Sequence, residues 1–190
     1  MKNSLVILLE SKKTVFTIED LMLLWNIGDQ NYLKVKLYRL IKNNQLIRLR
    51  GGIYVLNENY NRLELANKLL SPSYVSFQTI LGQRGAVFQF DSRVLSAARY
   101  NRIITVGKET FVYRKIKDSI LFNNNGIINE NNISTADAER ALVDTLYLDK
   151  NFYFDNLEPI NLDKCLALAP LYQNKQLIKR ITALKKSYAR

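Results

Sequence analysis

The spacing of apolar residues predicts three short helices in the first part of the chain. Residues 2–12 carry their leucines on one helical face, as an amphipathic helix does. Thr17 can cap a second helix, and Asp29 can cap a third helix over residues 30–43. We expect Gly28, between the second and third helices, to adopt the left-handed conformation that a sharp turn requires. The pattern therefore indicates a helix-turn-helix arrangement.

A hairpin with basic residues follows the third helix. Two runs of β-forming residues flank a Gly-Gly pair, which is a strong hairpin signal. In the first run, residues 47–50, apolar residues alternate with arginines, so we expect Arg48 and Arg50 to share one cationic face. Three helices followed by a basic hairpin is the order of a winged helix-turn-helix. We therefore predict such a DNA-binding domain over residues 1–57.

The rest of the chain, residues 58–190, alternates helical and strand-like patterns. A linking helix is predicted at 58–72, and strand-forming runs at 103–106 and 110–113 flank a turn. Further helices are predicted at about 76–82, 137–147, 161–168 and 171–188. We therefore expect an α+β protein, in which the N-terminal winged helix-turn-helix is followed by a mixed α/β C-terminal domain.

The positive charge of the chain is concentrated at its two ends. The net charge is +11 over 190 residues. Residues 1–57 carry nine Lys and Arg against four Asp and Glu, and residues 151–190 carry seven against three. The middle, residues 58–150, is nearly balanced, with twelve against ten. This distribution is expected of a nucleic-acid-binding module joined to a second unit.

The composition argues against metal-dependent and cofactor-dependent chemistry. The chain has no histidine, which is the commonest general base and zinc ligand, and no Gly-rich phosphate loop. We expect no catalytic residue, no metal and no cofactor. The single cysteine, Cys165, has apolar neighbours, so we expect a buried thiol. No apolar run approaches the roughly 18 residues of a membrane span, and we expect a cytoplasmic protein.

The third helix and the hairpin carry the side-chain types that DNA recognition uses. Lysine and arginine bind guanine acceptors or phosphates, and asparagine pairs with adenine edges. Arginines on a wing commonly reach a phosphate or the minor groove. The alternative is an ordinary solvated helix face. We predict DNA contacts from nine residues, namely Asn31, Tyr32, Lys34, Lys36, Tyr38, Arg39, Lys42, Arg48 and Arg50.

Three other features each allow two interpretations. Tyr74 is either a functional aromatic residue or, as we expect, a buried residue that fixes the domain junction. Glu139, Arg140 and Asp144 lie close together on one predicted helix, where an ion pair is expected more often than a carboxylate site. The basic helix at 171–188 is expected to be a solvated face, and the alternative is a second DNA contact.

The order of these segments resembles the AbiEi-type antitoxins of type IV toxin–antitoxin, or abortive-infection, systems. Residues 46–54 are similar to the wing of the family, a basic hairpin that closes on Gly-hydrophobe-Tyr. Residues 134–144 resemble its helix start Ala-Thr-Pro-Glu-(Lys/Arg)-Ala-Leu-(Leu/Val)-Asp, with Ala-Asp-Ala in place of the Pro step. The resemblance extends to residues 16–17, 65–69, 73–76 and 111–116.

The resemblance implies two activities for the chain. A winged-helix domain would repress transcription of its own operon by binding double-stranded operator DNA. A C-terminal domain would neutralise a nucleotidyltransferase-like toxin without forming a tight complex with it.

Three alternatives remain open from the sequence. The first is a free-standing winged-helix regulator whose C-terminal domain senses a ligand or partner. The second is a carboxylate-dependent nuclease that uses Asp91, Glu109 or Asp144, although the chain lacks histidine and any PD-(D/E)xK-like spacing. The third is a protein-interaction module without salt-dependent affinity for DNA.

Overall fold

The first part of the chain folds into three helices and a small sheet. The computed structural model describes residues 3–188, so residue 2, where the first predicted helix began, lies outside the described residues. The elements of this part are α1 (Ser4–Glu10), β1 (Val15–Thr17), α2 (Ile18–Trp25), α3 (Gln30–Lys42), β2 (Ile47–Arg50) and β3 (Ile53–Val55). The three strands form an antiparallel sheet in the order β1-β3-β2.

The two predicted helix caps are confirmed. Thr17 accepts a hydrogen bond from the Asp20 backbone N–H, and the Asp20 carboxylate accepts one from the Thr17 N–H, which is a capping box. The Asp29 carboxylate accepts a hydrogen bond from the Asn31 N–H at 2.7 Å. Both caps satisfy N–H groups that have no partner within the helix. Local sequence therefore determines where α2 and α3 begin.

The turn between α2 and α3 differs from the prediction. Asn26 adopts the left-handed conformation, with φ 51° and ψ 48°, whereas Gly28 is not among the residues with positive φ. The expectation for Gly28 is therefore wrong. Asparagine tolerates this conformation better than most residues. Because Asn26 directly follows the last residue of α2, it ends the helix two positions before the glycine.

A small hydrophobic core joins the three helices to the sheet. The indole N–H of Trp25 donates a hydrogen bond to the Ser4 carbonyl at 3.0 Å, which ties α2 to α1. The buried residues of this core are Leu8, Phe16, Leu21, Trp25, Leu33, Leu37, Leu46 and Tyr54.

The second part of the chain contains a six-stranded mixed sheet with helices on both faces. Its elements are α4 (Arg62–Leu69), β4 (Ser73–Val75), α5 (Phe77–Gln83), β5 (Val94–Ala98), β6 (Arg102–Val106), β7 (Glu109–Lys115), α6 (Asp118–Leu121), β8 (Ile127–Glu130), β9 (Ile133–Ala136), α7 (Ala138–Leu148), α8 (Leu162–Leu168) and α9 (Lys175–Tyr188). A 3-10 turn, Ala169–Tyr172, separates α8 from α9. The strand order is β6-β7-β5-β4-β9-β8, with parallel pairing between β5 and β7 and between β4 and β9.

Strand β7 shows how the helices divide between the two faces of this sheet. The Tyr113 hydroxyl donates a hydrogen bond to the Ala66 carbonyl of α4 at 2.6 Å. The next residue, Arg114, points to the opposite face and lies over the ring of Phe77 at the start of α5. Helix α5 packs in turn against α7, and α7 against α8 and α9. The α+β class predicted from the sequence is confirmed.

The two parts of the chain share buried contacts. Val15, Ile53 and Val55 of the small sheet belong to the large core of the second part. The buried carboxylate of Glu64 in α4 accepts hydrogen bonds from the backbone N–H and the hydroxyl of Thr14, at 2.9 and 2.6 Å. The boundary between residues 57 and 58 stays a prediction, since strands β1 and β3 contribute to both cores.

An ion-pair cluster around Asp20 adds a polar link between the two parts. Its carboxylate pairs with Lys13 at 2.5 Å and with Lys68 of α4 at 2.7 Å. Partial burial by itself would raise the pKa of Asp20, but the hydrogen bonds from Lys13, Lys68 and the Thr17 N–H lower it to about 2. The carboxylate is therefore ionised at neutral pH and holds both lysines.

No helix among residues 3–188 combines the length and the apolar character that crossing a bilayer requires.

The α2–α3 turn makes a testable prediction about stability. We expect Asn26→Ala to lower the free energy of unfolding by about 1 kcal/mol, because alanine is strained at positive φ. We expect Gly28→Ala to leave it unchanged or raise it by about 0.4–1 kcal/mol, because a Cβ there would have no atom within 4 Å and φ is not positive. Urea unfolding followed by Trp25 fluorescence measures both variants. A larger loss for Gly28→Ala than for Asn26→Ala would contradict this account of the turn.

Candidate nucleic-acid interface

Helix α3 buries one face and leaves its basic and aromatic residues outside. Leu33 and Leu37 are buried in the small core, and Tyr38, one residue further, is 66 % exposed. Six residues of α3 that we predicted to contact DNA are exposed to solvent, namely Asn31, Tyr32, Lys34, Tyr38, Arg39 and Lys42. The helical period that buries the leucines therefore directs these side chains outward.

The structure places Lys36 apart from the other predicted residues. Its ammonium nitrogen lies 4.2 Å from the centroid of the Trp25 ring, between α3 and α2. Desolvation by this partial burial lowers the pKa of Lys36. A cation held over an aromatic face stabilises the packing of the two helices by roughly 0.5–1 kcal/mol. We therefore assign Lys36 a structural contact in the free protein.

A groove runs between α3 and the β2–β3 hairpin, and we call it the α3 groove. Lys34 and Tyr38 lie one helical turn apart on the same side of α3, and Arg48 of β2 faces them. The groove has a volume of about 540 Å³. Its floor is apolar, and its lining residues are Ile18, Glu19, Gln30, Leu33, Lys34, Leu37, Tyr38, Ile41, Arg48, Gly52 and Tyr54. Two elements that are separate in sequence thus form one surface.

A β-bulge in β2 separates the two arginines of the hairpin. Arg48 pairs with Tyr54 of β3, but Arg50 pairs with Ile53, with a register shift between them. Because Tyr54 and Ile53 are consecutive, their side chains point to opposite faces of the sheet, and so do those of their partners. The expectation that Arg48 and Arg50 share one cationic face is therefore wrong. The extra residue at position 49 reverses the alternation.

Arg50 lines a second depression, which we call the Arg50 cleft. Its other cationic residues are Lys68 of α4 and Arg102 of β6, and the Gly51–Gly52 turn forms its border with the α3 groove. The exposed carboxylate of Glu19, at the start of α2, lines both depressions. The structure thus brings Lys34, Tyr38 and Arg48 together, and it places Arg50 on the neighbouring face.

Most of these cations have no acidic partner among residues 3–188. Within residues 3–188, no carboxylate lies within salt-bridge distance of Lys34, Arg39, Lys42, Arg48 or Arg50. Four lysines outside this surface, Lys13, Lys68, Lys164 and Lys185, each have a carboxylate partner. Unpaired surface cations attract a polyanion and release its counterions on contact. This surface is therefore electrostatically suited to a nucleic acid.

The three carboxylates of the nuclease alternative have separate structural partners. Asp91 pairs with Arg93 at 2.7 Å, and Glu109 accepts a hydrogen bond from the Tyr60 hydroxyl at 2.8 Å. Asp144 is completely buried. The described part of the chain contains no group of three or more Asp, Glu, Cys or His side chains arranged to hold a metal ion.

Asp144 forms a buried network with Arg140, as the ion-pair interpretation predicts. The carboxylate accepts hydrogen bonds from the hydroxyls of Tyr74 at 2.9 Å, Ser76 at 2.8 Å and Tyr172 at 2.6 Å. The Arg140 guanidinium lies 3.4 Å from the same carboxylate. Desolvation raises the pKa of Asp144, and the Arg140 charge and the three hydroxyls oppose that rise. Tyr74 is buried as expected, but its hydroxyl bonds within the second part of the chain.

The C-terminal helix α9 packs against the second part through buried residues Leu177 and Ile181. Two of its basic side chains have partners in the protein. Lys185 pairs with Asp163, and the Arg180 guanidinium donates a hydrogen bond to the Leu146 carbonyl at 3.2 Å. These contacts favour the solvated, structural interpretation of this helix. Cys165 in α8 is buried as predicted, and burial raises the pKa of its thiol to about 12.

No protein-family model matches the chain, and no curated protein is similar to it in sequence. The geometry of the molecule is therefore the main support for the function proposed below.

The buried network makes a prediction that distinguishes structure from catalysis. Asp144→Asn keeps the shape of the side chain but leaves the Arg140 charge buried without a counter-charge, so we expect a loss of about 3–5 kcal/mol in unfolding free energy. The control is Asp163→Asn, an exposed partner of Lys185, for which we expect a change below about 1 kcal/mol. Guanidinium unfolding of both variants provides the measurement. Equal effects would contradict the structural role of Asp144.

Proposed function

We propose that the chain is a sequence-specific transcriptional repressor that binds double-stranded DNA through a winged helix-turn-helix in residues 1–57. The observation that carries this proposal is the α3 groove, in which Lys34 and Tyr38 of α3 lie beside Arg48 of the hairpin. Helix α3 follows α2 after a short turn, and the hairpin follows α3 directly. Recognition helices and wings have this relation in winged-helix proteins.

The exposed side of α3 has the dimensions and the chemistry that a major groove accepts. An α-helix with its side chains is about 10–12 Å wide, and the major groove of B-DNA is about 12 Å wide. Asn31 and Lys34 lie in the first turn and a half of α3, where recognition helices approach base edges. We assign base contacts to these two residues and assign contacts with phosphate or base edges to Tyr38.

The two wing arginines have different roles in this proposal. Arg48 faces α3, so it would contact DNA close to the groove that α3 enters. Arg50 points to the other face of the hairpin, so we assign it a phosphate on the flanking backbone. Tyr32, Arg39 and Lys42, which are exposed on α3, would contact the phosphates on either side. None of these assignments requires a metal or a cofactor.

The antitoxin role is proposed on the sequence resemblance to the AbiEi-type family alone. In that role the chain represses its own operon, and the second part neutralises a nucleotidyltransferase-like toxin without a tight complex. A free-standing regulator that senses a ligand is the second candidate. A pocket in the second part of the chain, described in the next subsection, favours it.

Titrations with two DNA duplexes test whether the protein recognises a specific DNA sequence. The operator is selected from random duplexes, and a scrambled duplex of the same composition serves for comparison. We expect Asn31→Ala and Lys34→Ala each to cost about 1–3 kcal/mol on the operator and much less on the scrambled duplex. We expect Arg50→Ala to weaken both by similar factors and to reduce the log–log salt slope by about 0.9.

The matched control for these titrations is Lys150→Ala. Lys150 is an exposed lysine after α7, outside the proposed interface, and its removal changes the net charge by the same amount. If Lys34→Ala weakened both duplexes equally, α3 would be a non-specific phosphate clamp. If no substitution in α3 or the hairpin had more effect than Lys150→Ala, the proposal of DNA binding would be wrong.

Co-expression tests the antitoxin role separately. The genes beside that of the chain are searched for a nucleotidyltransferase-like reading frame, the two proteins are expressed together, and growth is followed. We expect the chain to restore growth, and we expect no stable complex in size-exclusion chromatography. Lys34→Ala should restore growth equally well, because neutralisation is assigned to the second part of the chain. Continued growth arrest with the intact chain would reject the antitoxin role and leave the free-standing regulator.

A further inference from the structure

A pocket opens on the face of the second sheet that looks away from α4. Strand β7 contributes Val112 and Arg114 to its floor, and α5 contributes Gln78 to its wall. Phe90, from the segment between α5 and β5, and Phe152, which follows α7, also line it. The remaining lining residues are Val87, Gln89, Leu95 and the ion pair of Asp91 with Arg93. The pocket has a volume of about 510 Å³, which is in the range of small-molecule sites.

Arg114 brings a cation into this pocket without a partner that balances its charge. Its guanidinium carbon lies 5.1 Å from the centroid of the Phe77 ring, and the side chain is partly buried. In the described part of the chain, no carboxylate lies within salt-bridge distance of it, and Asp149 acts on it only at longer range. Desolvation accordingly lowers the pKa of Arg114. An anion in the pocket would offset this cost.

Gln78 offers the second polar group of the pocket. Its carboxamide oxygen is buried and accepts no hydrogen bond from the described part of the chain. A buried acceptor without a hydrogen bond is unfavourable, because it has lost its bonds to water. The side chain lines the pocket, so a rotation of its flexible carboxamide would bring the oxygen to a donor on a bound molecule. The Asp91 carboxylate in the wall is paired with Arg93, so Arg114 is the cation of the pocket without a carboxylate within salt-bridge distance among the described residues. The pocket thus offers Arg114 to an anionic group and Gln78 to an N–H or O–H group.

Aromatic side chains border these two polar groups. Phe90 is 90 % exposed, which is unusual for a large apolar residue, and Phe152 is partly buried beside Phe154. The backbone of this segment is anchored, because the Phe88 N–H donates a hydrogen bond to the Asp155 carboxylate at 2.8 Å. A planar apolar body could stack on Phe90 and shield it from water.

We propose that this pocket binds a small organic anion, in which a carboxylate or phosphate contacts Arg114, a hydrogen-bond donor contacts Gln78, and a planar apolar body contacts Phe90. The assignment is independent of DNA binding, since it rests on residues of the second part and is measured on the protein alone. For the free-standing regulator proposed above, this organic anion would be the effector that the second part of the chain binds.

The test uses defined probes and calorimetric titration of the full chain. The probes are para-hydroxybenzoate and phenyl phosphate, and the uncharged analogue is para-hydroxybenzamide. We expect saturable binding of at least one anion. We expect a Kd at least about tenfold higher for para-hydroxybenzamide, since a hydrogen bond between two charged groups is stronger than one to a neutral amide. Arg114→Gln should raise the Kd of the anion by a similar factor.

Two further variants make the result independent of any effect of Arg114→Gln on folding. Phe90→Ala removes an exposed ring, so the thermal melt should not change, while the Kd should rise by about threefold or more. Lys108→Gln removes an exposed charge from the β6–β7 turn, outside the pocket, and should leave the Kd unchanged. The proposal is overturned if neither anion binds, if para-hydroxybenzamide binds equally well, or if Lys108→Gln weakens binding as much as Arg114→Gln.

Discussion

The buried ion pair between Arg140 and Asp144 fixes the arrangement of the second part of the chain. Two charges without access to water are stable only when hydrogen bonds satisfy their remaining donors and acceptors. The Asp144 carboxylate accepts hydrogen bonds from three hydroxyls, which belong to β4, to the residue after β4 and to the 3-10 turn. The Arg140 guanidinium donates hydrogen bonds to the carbonyls of Ile120 and Asn125. Gly126 lets the backbone approach, because a Cβ there would lie 2.8 Å from the Cβ of Arg140. The network therefore defines where four separate segments meet α7.

The first part of the chain is attached to this framework by α4. Its buried Glu64 binds the backbone at Thr14, and its Lys68 binds Asp20 inside the capping box of α2. The Asp20 carboxylate thus has two roles. It caps the start of α2, which positions α3, and it binds Lys68 of α4 in the second part. Apolar contacts of β1 and β3 with the large core support the connection. The orientation of the proposed recognition helix is consequently coupled to the folding of the second part, although the two have separate cores.

Structure that depends on a few neighbouring residues, such as a helix cap, could be predicted from the sequence. Structure that depends on the pairing of strands from distant segments could not. The caps Thr17 and Asp29, the α+β class and strands β6 and β7 belong to the first group. Strands β4, β8 and β9 are three or four residues long and obtain their partners from distant segments, so their local pattern is weak. At the α2–α3 turn, the presence of a glycine led to the wrong prediction that Gly28 adopts the left-handed conformation. Asn26 accepts the left-handed conformation, and Gly28 does not need it.

The candidate interface shows the same limit at a finer scale. The spacing of Leu33 and Leu37 predicted most of the exposed side of α3, because helical periodicity is local. It did not predict that Lys36 lies over the Trp25 ring of α2, because that contact depends on the packing of two helices. The alternation in β2 was not sufficient, because the bulge arises from pairing with β3 and reverses the faces after Arg48. Arg48 therefore belongs with α3, and Arg50 belongs with Arg102 of the second sheet. A single unpaired residue in a four-residue strand thus divides the cations of the hairpin between two surfaces. In the proposed function, this division would let Arg48 accompany α3 while Arg50 contacts the flanking DNA backbone.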